Sequence, residues 1–554
     1  MTIRGPLRWS LLAAALAVAA TLVIGAFNPA PHSGGDNAAY LSLAHALVEG
    51  RGYVDAYDPL GAPHTKYPPL FPLLLAVLLA AGAGTWTAFK GLVAVATVLG
   101  VGVTYVWAEG RLGPWKAFSV ALLVAASAGV VYYSHWILSD PVFVLLILTS
   151  LWSLERGERK NWDPRWIALG VVAALGAYFT RSAGLPLLVA ILGWLAIRRR
   201  YRTLVATAGA FALPALLWWL RGRGAGVGDY ATEFWLADPY QPGLGTVGLG
   251  GLAARLLENA LAYVTRHVPA AVVGGPGAWT LALGIVLVGA ALWGWVIEAR
   301  KKPGPAEFFL PLYVGLVLLW PQVWGGDRFV LPILPLLFLY AAMALERSTR
   351  RLGGAAQVLS AAALVALLLP ALASWGGAVQ DARACAAATA SGGPFACYGG
   401  RVTEFVGAAA WMGTALPEGA SVMTRKPRIF YVTSGIPSRT FPFDPDPDVQ
   451  LAEADAVGAR YVLLDRWDGQ AARFVGAAVG ARPGAFCFVR GFGSGPADGA
   501  QLFGILPPEQ RTSGQPNDGA GVTIPRCPES YLSPDEGSAS YRPPTSTRIP
   551  LLSR

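Results

Sequence analysis

Long apolar runs separated by short polar segments fill the chain from residue 9 to residue 374. The runs at 9–27, 88–108, 117–133, 141–154, 166–180, 183–197, 203–220, 277–297, 308–323, 330–346 and 355–374 each read as a spanning helix, since a perpendicular crossing wants roughly 20 apolar residues. Several are shorter than that, which implies local bilayer thinning or extension into the interfacial layer. An odd number of spans, eleven, puts the two ends of this region on opposite sides. One further apolar run, 68–83, opens with Pro68-Pro69 and reads as a helix lying in the outer interface or dipping part way in.

Charge decides that last reading. Of the 43 Lys and Arg residues, eighteen sit in short segments beside apolar runs: Arg4/Arg8, Arg111/Lys116, Arg156 to Arg165, Arg198 to Arg202, Arg300 to Lys302 and Arg347 to Arg351. Short basic loops stay cytoplasmic. If 68–83 crossed, every later loop would invert, so Arg111/Lys116, Arg198 to Arg202 and Lys301/Lys302 would face out. With 68–83 demoted, the N-terminus is cytoplasmic, and loops 28–66, 134–140, 221–276 and 324–329 face out together with everything after Trp375. The expected location is the plasma (inner) membrane, as a multi-pass protein.

Composition agrees with this picture and removes other classes. Over 554 residues, 54% are hydrophobic and only 14% charged, and the mean hydropathy is +0.47, which describes a polytopic membrane protein rather than a soluble enzyme. The net charge of +10 is largely topological, and no nucleic-acid-binding motif accompanies it, so no nucleic-acid partner is expected. The run after Arg4 and Arg8 ends in Asn28-Pro29-Ala30-Pro31, a poor cleavage site, and reads as a span rather than a signal peptide.

Outside the spans, Leu252 to Val268 is amphipathic and reads as an interfacial helix. From about 375 to 505 the pattern changes. Short β-like runs at 460–464 and 486–489 alternate with helical patterns at 403–416 and 449–458, which predicts a small extracytoplasmic α/β domain. The segment 506–554 is rich in Pro, Ser and Gly and reads as a tail. The fold class is therefore mostly α, a helical membrane domain over 1–374 followed by an α/β domain. All four cysteines, Cys385, Cys397, Cys487 and Cys527, fall in the last third. Four cysteines allow three pairings. Proximity favours Cys385 with Cys397 and Cys487 with Cys527, which needs an oxidising compartment, and free buried thiols are the alternative.

Residues able to carry chemistry gather in the outer loops. The first reads Gly34-Gly35-Asp36-Asn37-Ala38-Ala39-Tyr40 and closes with Lys66-Tyr67-Pro68-Pro69-Leu70. Asp36 suits a helix cap, or a carboxylate that takes a proton from a substrate hydroxyl or holds a metal. Lys66 suits a fixed cation for a lipid phosphate, or a lysine that snorkels to the headgroups. Loop 134–140 contains His135 and ends in Ser139-Asp140-Pro141, where Ser139 or Asp140 could simply cap the next helix. Asp140 nonetheless falls on the same side as Asp36. Arg181 and Arg328 add cations there; a guanidinium suits bidentate phosphate recognition, and Asp327 is the competing structural partner for Arg328. The histidines have no close-spaced ligand pattern, so a divalent cation held by Asp36 and Asp140 is the better metal hypothesis.

In order and sidedness these motifs resemble the GT-C superfamily of membrane glycosyltransferases, on the branch of bacterial aminoarabinose transferases and protein O-mannosyltransferases. The resemblance rests on Asp36-x-x-x-Tyr40, the Lys66 to Leu70 closure, Ser139-Asp140 before the fourth span, and Arg328-Phe329-x-x-Pro332-x-x-Pro335. It implies inverting transfer of a sugar from a polyprenyl-phosphate donor to a lipid, glycan or protein acceptor on the extracytoplasmic face, among membrane lipids. It further implies that Asp36 activates the nucleophile, that Lys66 and Arg328 hold the leaving phosphate, that Asp140 supports the site, and that Tyr40, His64, His135 and Arg181 are candidate substrate contacts. Two positions depart from the pattern: Tyr67 splits the family's Lys-Pro-Pro, and Asn37 stands where mannosyltransferases of the group carry Glu.

Other classes predict other sequences. A transporter or flippase of lipid-linked sugars would show a repeated half and charges near the midplane. A lipid-linked polysaccharide polymerase or ligase would show a large late outer loop with paired arginines. A structural or receptor protein would need none of these charges. No Walker-type loop is present, which fits a reaction driven by an activated lipid donor.

Overall fold

The computed structural model describes residues 4–32, 34–223, 230–239, 241–275, 277–350, 353–493, 499–512, 524–533, 549 and 551. Asp229 and Tyr240 of loop 221–276 lie outside the described residues, as does most of the 506–554 segment.

The described chain is mostly helical. Helices α1 (Arg4–Gly25), α2 (Gly35–Val48), α3 (Leu70–Ala80) and α4 (Trp86–Leu112) are followed by α5 (Pro114–Ala126), α6 (Ala128–Tyr133), α7 (Asp140–Arg159) and α8 (Pro164–Thr180). Next come α9 (Leu185–Ile197), α10 (Tyr201–Gly222), α11 (Tyr230–Trp235), α12 (Leu249–Ala262), α13 (Val268–Val273), α14 (Ala278–Lys301), α15 (Pro305–Leu319), α16 (Leu334–Thr349) and α17 (Gly354–Gly392). The C-terminal region holds α18 (Gly400–Ala415), α19 (Pro427–Ser434), α20 (Pro447–Val457) and α21 (Ala477–Ala481) around strands β1 (Val422–Met423), β2 (Ser438–Arg439), β3 (Tyr461–Leu464), β4 (Phe486–Gly491) and β5 (Gln501–Ile505).

Every apolar run read as a span is helical, with two corrections to its limits. The run 117–133 is broken at Ser127, whose backbone is extended and whose Oγ donates to the Leu123 carbonyl at 2.6 Å, so α5 and α6 are separate helices. The last run does not stop at 374. Its Ala-, Gly- and Ser-rich continuation keeps α17 helical to Gly392, so the boundary expected at 374/375 falls inside a helix. Among the described residues, five helices are long and apolar enough to cross a membrane by length and composition: Pro6–Gly25, Trp86–Leu112, Tyr201–Gly222, Trp279–Lys301 and Gly354–Gly392. The 11 residues of α3 extend about 16 Å, half of a hydrocarbon core of about 30 Å.

Two compact units share the chain. The first comprises 1–27, 65–71 and 90–382; the second comprises 28–64, 72–89 and 383–554. In the first, α7 packs along α8, α14 along α16, α9 along α15 and α1 along α5. Its core holds Trp107, Phe143, Trp194, Phe309, Tyr313 and Tyr340. Close helix approach depends on small residues. A Cβ at Gly294 would lie 1.9 Å from the Tyr340 carbonyl oxygen, so the α14–α16 crossing requires glycine there. Leucines and valines of α10 and α17, including Val205, Leu217, Val358 and Leu369, are exposed, as lipid-facing positions should be.

The amphipathic stretch expected at 252–268 is helical, and its polarity is inverted relative to a soluble protein. Leu249, Leu257 and Leu261 are exposed, whereas Arg255 and Asn259 are buried. Arg255 donates to the carbonyls of Phe234 and Leu236, and Asn259 to those of Leu318 and Trp320 at the end of α15. Polar side chains thus satisfy helix-end carbonyls while the apolar face points outward, the arrangement an interfacial helix needs.

In the second unit the five strands form one sheet in the order β2-β1-β3-β5-β4, parallel across β2, β1 and β3 and antiparallel thereafter. The predicted strands at 460–464 and 486–489 correspond to β3 and β4; β1 and β2 are two residues each, too short to leave a periodic signal. The favoured disulfides are present, Cys385–Cys397 and Cys487–Cys527. Gly504 on β5 lies under the second: a Cβ there would meet both sulfurs at 2.7 Å. The same unit includes the first outer loop. Helix α2 packs on α19, Ser438 N–H donates to the Tyr57 carbonyl at 2.6 Å, Arg51 donates to the Tyr431 hydroxyl at 3.0 Å, and Arg439 binds Asp58 at 3.0 Å.

Candidate active site

Helix α7 starts at Asp140 because Pro141 is preset for a first turn and Ser139 takes the N-cap position. Ser139 holds the N-cap position without a side-chain capping hydrogen bond. Asp140 faces two arginines. Its Oδ2 accepts from Arg328 Nε at 2.7 Å and from Arg181 Nη1 at 2.9 Å, and the carboxylate side chain is 2% exposed. Arg181 also donates to Ser139 Oγ at 3.3 Å and lies over the rings of Phe143 and Phe329.

Local structure explains the meeting. Helices α7 and α8 form an antiparallel hairpin, so the C-cap of α8, Arg181, returns to the level where α7 began. Arg328 comes from a 3-10 turn, Asp327–Val330, just ahead of α16. Asp327 does not pair with Arg328; neighbouring side chains on such a turn diverge, and Asp327 Oδ1 accepts from the Tyr133 hydroxyl at 3.1 Å. Asp140 is thus shared by two guanidinium groups in a partly buried setting, where electrostatic fields are strong. Among the described residues no group of three or more His, Cys, Asp or Glu is placed to hold a metal.

Lys66 is neither snorkelling nor isolated. Its Nζ donates to Glu233 Oε1 on α11 at 2.8 Å and sits over the rings of Trp324 and Tyr230, at 4.8 and 5.3 Å from their centroids. Glu233 and Trp324 were missed as partners, because separations of this length carry no local signal. Trp324 stands four residues before Arg328, so the surroundings of both cations include the segment 324–328. His135 is buried, near Tyr132 and Phe27. Burial, reinforced by the Lys90 cation, pushes its pKa down to about 3, so it is a neutral imidazole.

The remaining sequence candidates belong to the second unit. Asp36 is half-buried in the first turn of α2; the N-cap is Gly34, so Asp36 is not the cap. Tyr40, on the same helix, is 2% exposed. His64 is likewise 2% exposed, and its Nδ1 lies 2.7 Å from Asp55 Oδ1, a pairing that orders the loop ahead of Lys66.

A family described as dolichyl-phosphate-mannose-protein mannosyltransferase matches residues 66–220, the stretch that carries Lys66, His135, Asp140 and Arg181. Solved structures match over most of the chain. The oligosaccharyltransferase AglB from Archaeoglobus fulgidus, in complex with an inhibitory peptide and a dolichol-phosphate, superposes with a TM-score of 0.55 at 13% identity over 89% of this chain and 74% of its own. ArnT from Cupriavidus metallidurans, bound to undecaprenyl phosphate, gives 0.54 at 14% identity over 90% and 97%. The chain has the GT-C fold. A second Archaeoglobus fulgidus oligosaccharyltransferase structure, a complex with Zn and sulfate, shares the GT-C likeness at 14% identity, a TM-score of 0.55, and coverage of 87% and 72%. By sequence, no curated protein matches this chain.

Proposed function

We propose that the protein is an inverting glycosyltransferase that moves a sugar from a polyprenyl-phosphate donor to an acceptor on the extracytoplasmic face of the membrane. The carrying observation is the buried Asp140 shared by Arg181 and Arg328, two guanidinium groups preorganised beside the start of α7. The dolichol-phosphate and undecaprenyl phosphate of the GT-C structures support a lipid phosphate as its ligand.

In this reading the acceptor oxygen attacks the anomeric carbon, the bond from that carbon to the phosphate oxygen breaks, and the acceptor proton passes to the Asp36 carboxylate. Negative charge grows on the departing polyprenyl phosphate, where Arg328, Arg181 and Lys66 stabilise it. Asp140 is a positioning residue: it fixes the arginines before substrate arrives. The acceptor is a lipid, glycan or protein. The eleven-span topology, the cytoplasmic N-terminus and the extracytoplasmic C-terminal region belong to the same reading, supported by the basic-loop asymmetry and by two disulfides that need an oxidising compartment. The test is incubation of purified protein with a panel of polyprenyl-phosphate sugars and release of polyprenyl phosphate as readout. Failure of every donor in the panel to lose its sugar, with folded protein, would reject the assignment.

A further inference from the structure

A second convergence of polar groups lies far from that chemistry in sequence, at the carboxyl ends of β1 and β3. These strands pair in parallel, Val422 beside Tyr461 and Met423 beside Val462. Side chains alternate between faces of a sheet, so Thr424 and Asp465 continue the face that Val422 and Tyr461 share. Both residues are buried, at 0% and 1% exposure. Thr424 Oγ1 and Asp465 Oδ2 nevertheless have no hydrogen-bond partner, although leaving a buried polar atom unsatisfied costs roughly 1–3 kcal/mol. Asp465 Oδ1 is occupied, accepting the Trp467 N–H at 2.9 Å.

The rim around these two atoms is aromatic, and its cations, Arg425 and Lys426, are matched by Asp468 and Asp465 together. Arg425 lies 2.8 Å and Lys426 3.8 Å from Asp468 Oδ2. Lys426 sits over the half-buried Trp467 ring, and Arg425 over the exposed Phe443. Helix α19 begins immediately afterwards, with Lys426 at its N-cap and no side-chain cap. In open α/β sheets, the crevice outside the carboxyl ends of parallel strands is where ligands bind.

We propose that this end of the sheet is a carbohydrate-binding site, which takes a neutral hexopyranose whose hydroxyls bond Asp465 Oδ2 and Thr424 Oγ1 while a ring face lies on Trp467. An anion is disfavoured because Asp465 would repel it and Asp468 already engages the two cations. An apolar ligand would leave both buried oxygens unsatisfied. A polyol satisfies them and uses the aromatic surface. The site lies in the second unit and does not depend on the transfer reaction.

The experiment is saturation-transfer NMR on the full-length protein in lipid nanodiscs, free of sugar-headed detergent, with the methyl α-pyranosides of mannose, glucose and galactose as probes. Transfer to the ring protons of at least one probe is expected, with affinity lowered about three- to tenfold by Thr424→Val and by Trp467→Ala. The signal should survive inorganic phosphate, and its weakening in Thr424→Val and Trp467→Ala separates it from any sugar held at the transfer site. Absence of transfer from all three probes, equal transfer in wild type and both variants, or displacement by phosphate would overturn the assignment. Thr424→Val is nearly isosteric, and its unfolding midpoint checks that a lost signal is not lost fold; a raised midpoint with no sugar signal in wild type would identify the two oxygens as a water site only.

Discussion

Arg328 reaches across the sequence to place its Nε 2.7 Å from Oδ2 of Asp140, a carboxylate that is almost wholly buried. Since Arg181 uses the same oxygen, removing the carboxylate leaves two cations facing each other. Asp140→Asn should therefore cost stability on the scale of a broken buried ion pair, about 3–5 kcal/mol, and raise the KM for the lipid donor. Arg328→Lys should keep the charge but lose the fork geometry, lowering kcat/KM by on the order of tenfold with little change in stability. Thermal unfolding alongside steady-state kinetics checks both. An Asp140→Asn protein with wild-type stability and KM would show that the pair does not position the arginines.

Lys66 gives a two-sided test because its partner is known. If the ammonium is recruited by a lipid phosphate, Glu233 competes with that phosphate for it. Glu233→Gln should then tighten donor binding a few-fold, while Lys66→Ala weakens it by about tenfold, as loss of one charge-assisted contact does. Equal weakening by both substitutions would mean instead that the ion pair merely orders the segment around Tyr230 and Trp324. Donor KM, measured at fixed acceptor, separates the two cases.

Asp36 stands in the first turn of α2 without serving as its cap, so its replacement should leave the helix start intact. Asp36→Asn is expected to lower turnover by roughly 10²–10⁴, the range of a lost general base, without shifting the unfolding midpoint. Retained turnover would remove Asp36 from the mechanism.

Much of this molecule was legible because its signals are local. Apolar runs, the Pro141 helix start and the Cys385–Cys397 pair, 12 residues apart, all depend on neighbours in sequence, and each has its counterpart in the structure. Partnerships over long separations were not legible: Lys66 with Glu233, Asp58 with Arg439, and Asp140 with two arginines at once. A pattern can show that Asp140 is an acid beside a membrane helix; only packing shows which of its oxygens is taken. The same limit applies to Tyr40 and His64: both are 2% exposed, and nothing in their local sequence signals that burial.

In the first unit, Arg111 is held between two acids, with Nε 3.0 Å from Glu155 Oε2 and Nη1 2.7 Å from Glu307 Oε1. Trp107 Nε1 donates to Glu155, and the Tyr340 hydroxyl to Glu307, so helices α4, α7, α15 and α16 meet in one buried network. Arg111→Met would strand two carboxylates, and a loss of about 3–5 kcal/mol is expected. The triple replacement by apolar residues of similar volume should recover most of it, since burying no charge is cheaper than burying unpaired ones. Unfolding midpoints of the single and triple variants in the same lipid decide the matter; a single variant as stable as wild type would exclude the network as a determinant of helix packing.

Asp465 supplies a prediction with a definite sign. Burial raises its pKa to about 6 from 3.8, with the Asp468 charge acting in the same direction, against the lowering by the Trp467 N–H and the nearby Arg425. A folded-state pKa above the unfolded value means that the native protein holds this proton more tightly. The stabilising contribution is thus complete below about pH 4 and is lost as pH rises through about 6. Asparagine carries no proton to lose. Asp465→Asn should therefore match wild type near pH 4 and exceed it above pH 6 by an amount that two pKa units bound at about 3 kcal/mol. Unfolding midpoints across pH 4 to 8 test this, and a constant difference between the two proteins over that range would show that the carboxyl does not titrate there. The same substitution also probes the sugar site, because a carboxylate accepts two hydroxyls where the amide accepts only through one oxygen. Above pH 6, Asp465→Asn should gain stability while losing affinity for a pyranoside, an opposition that a purely structural aspartate would not produce.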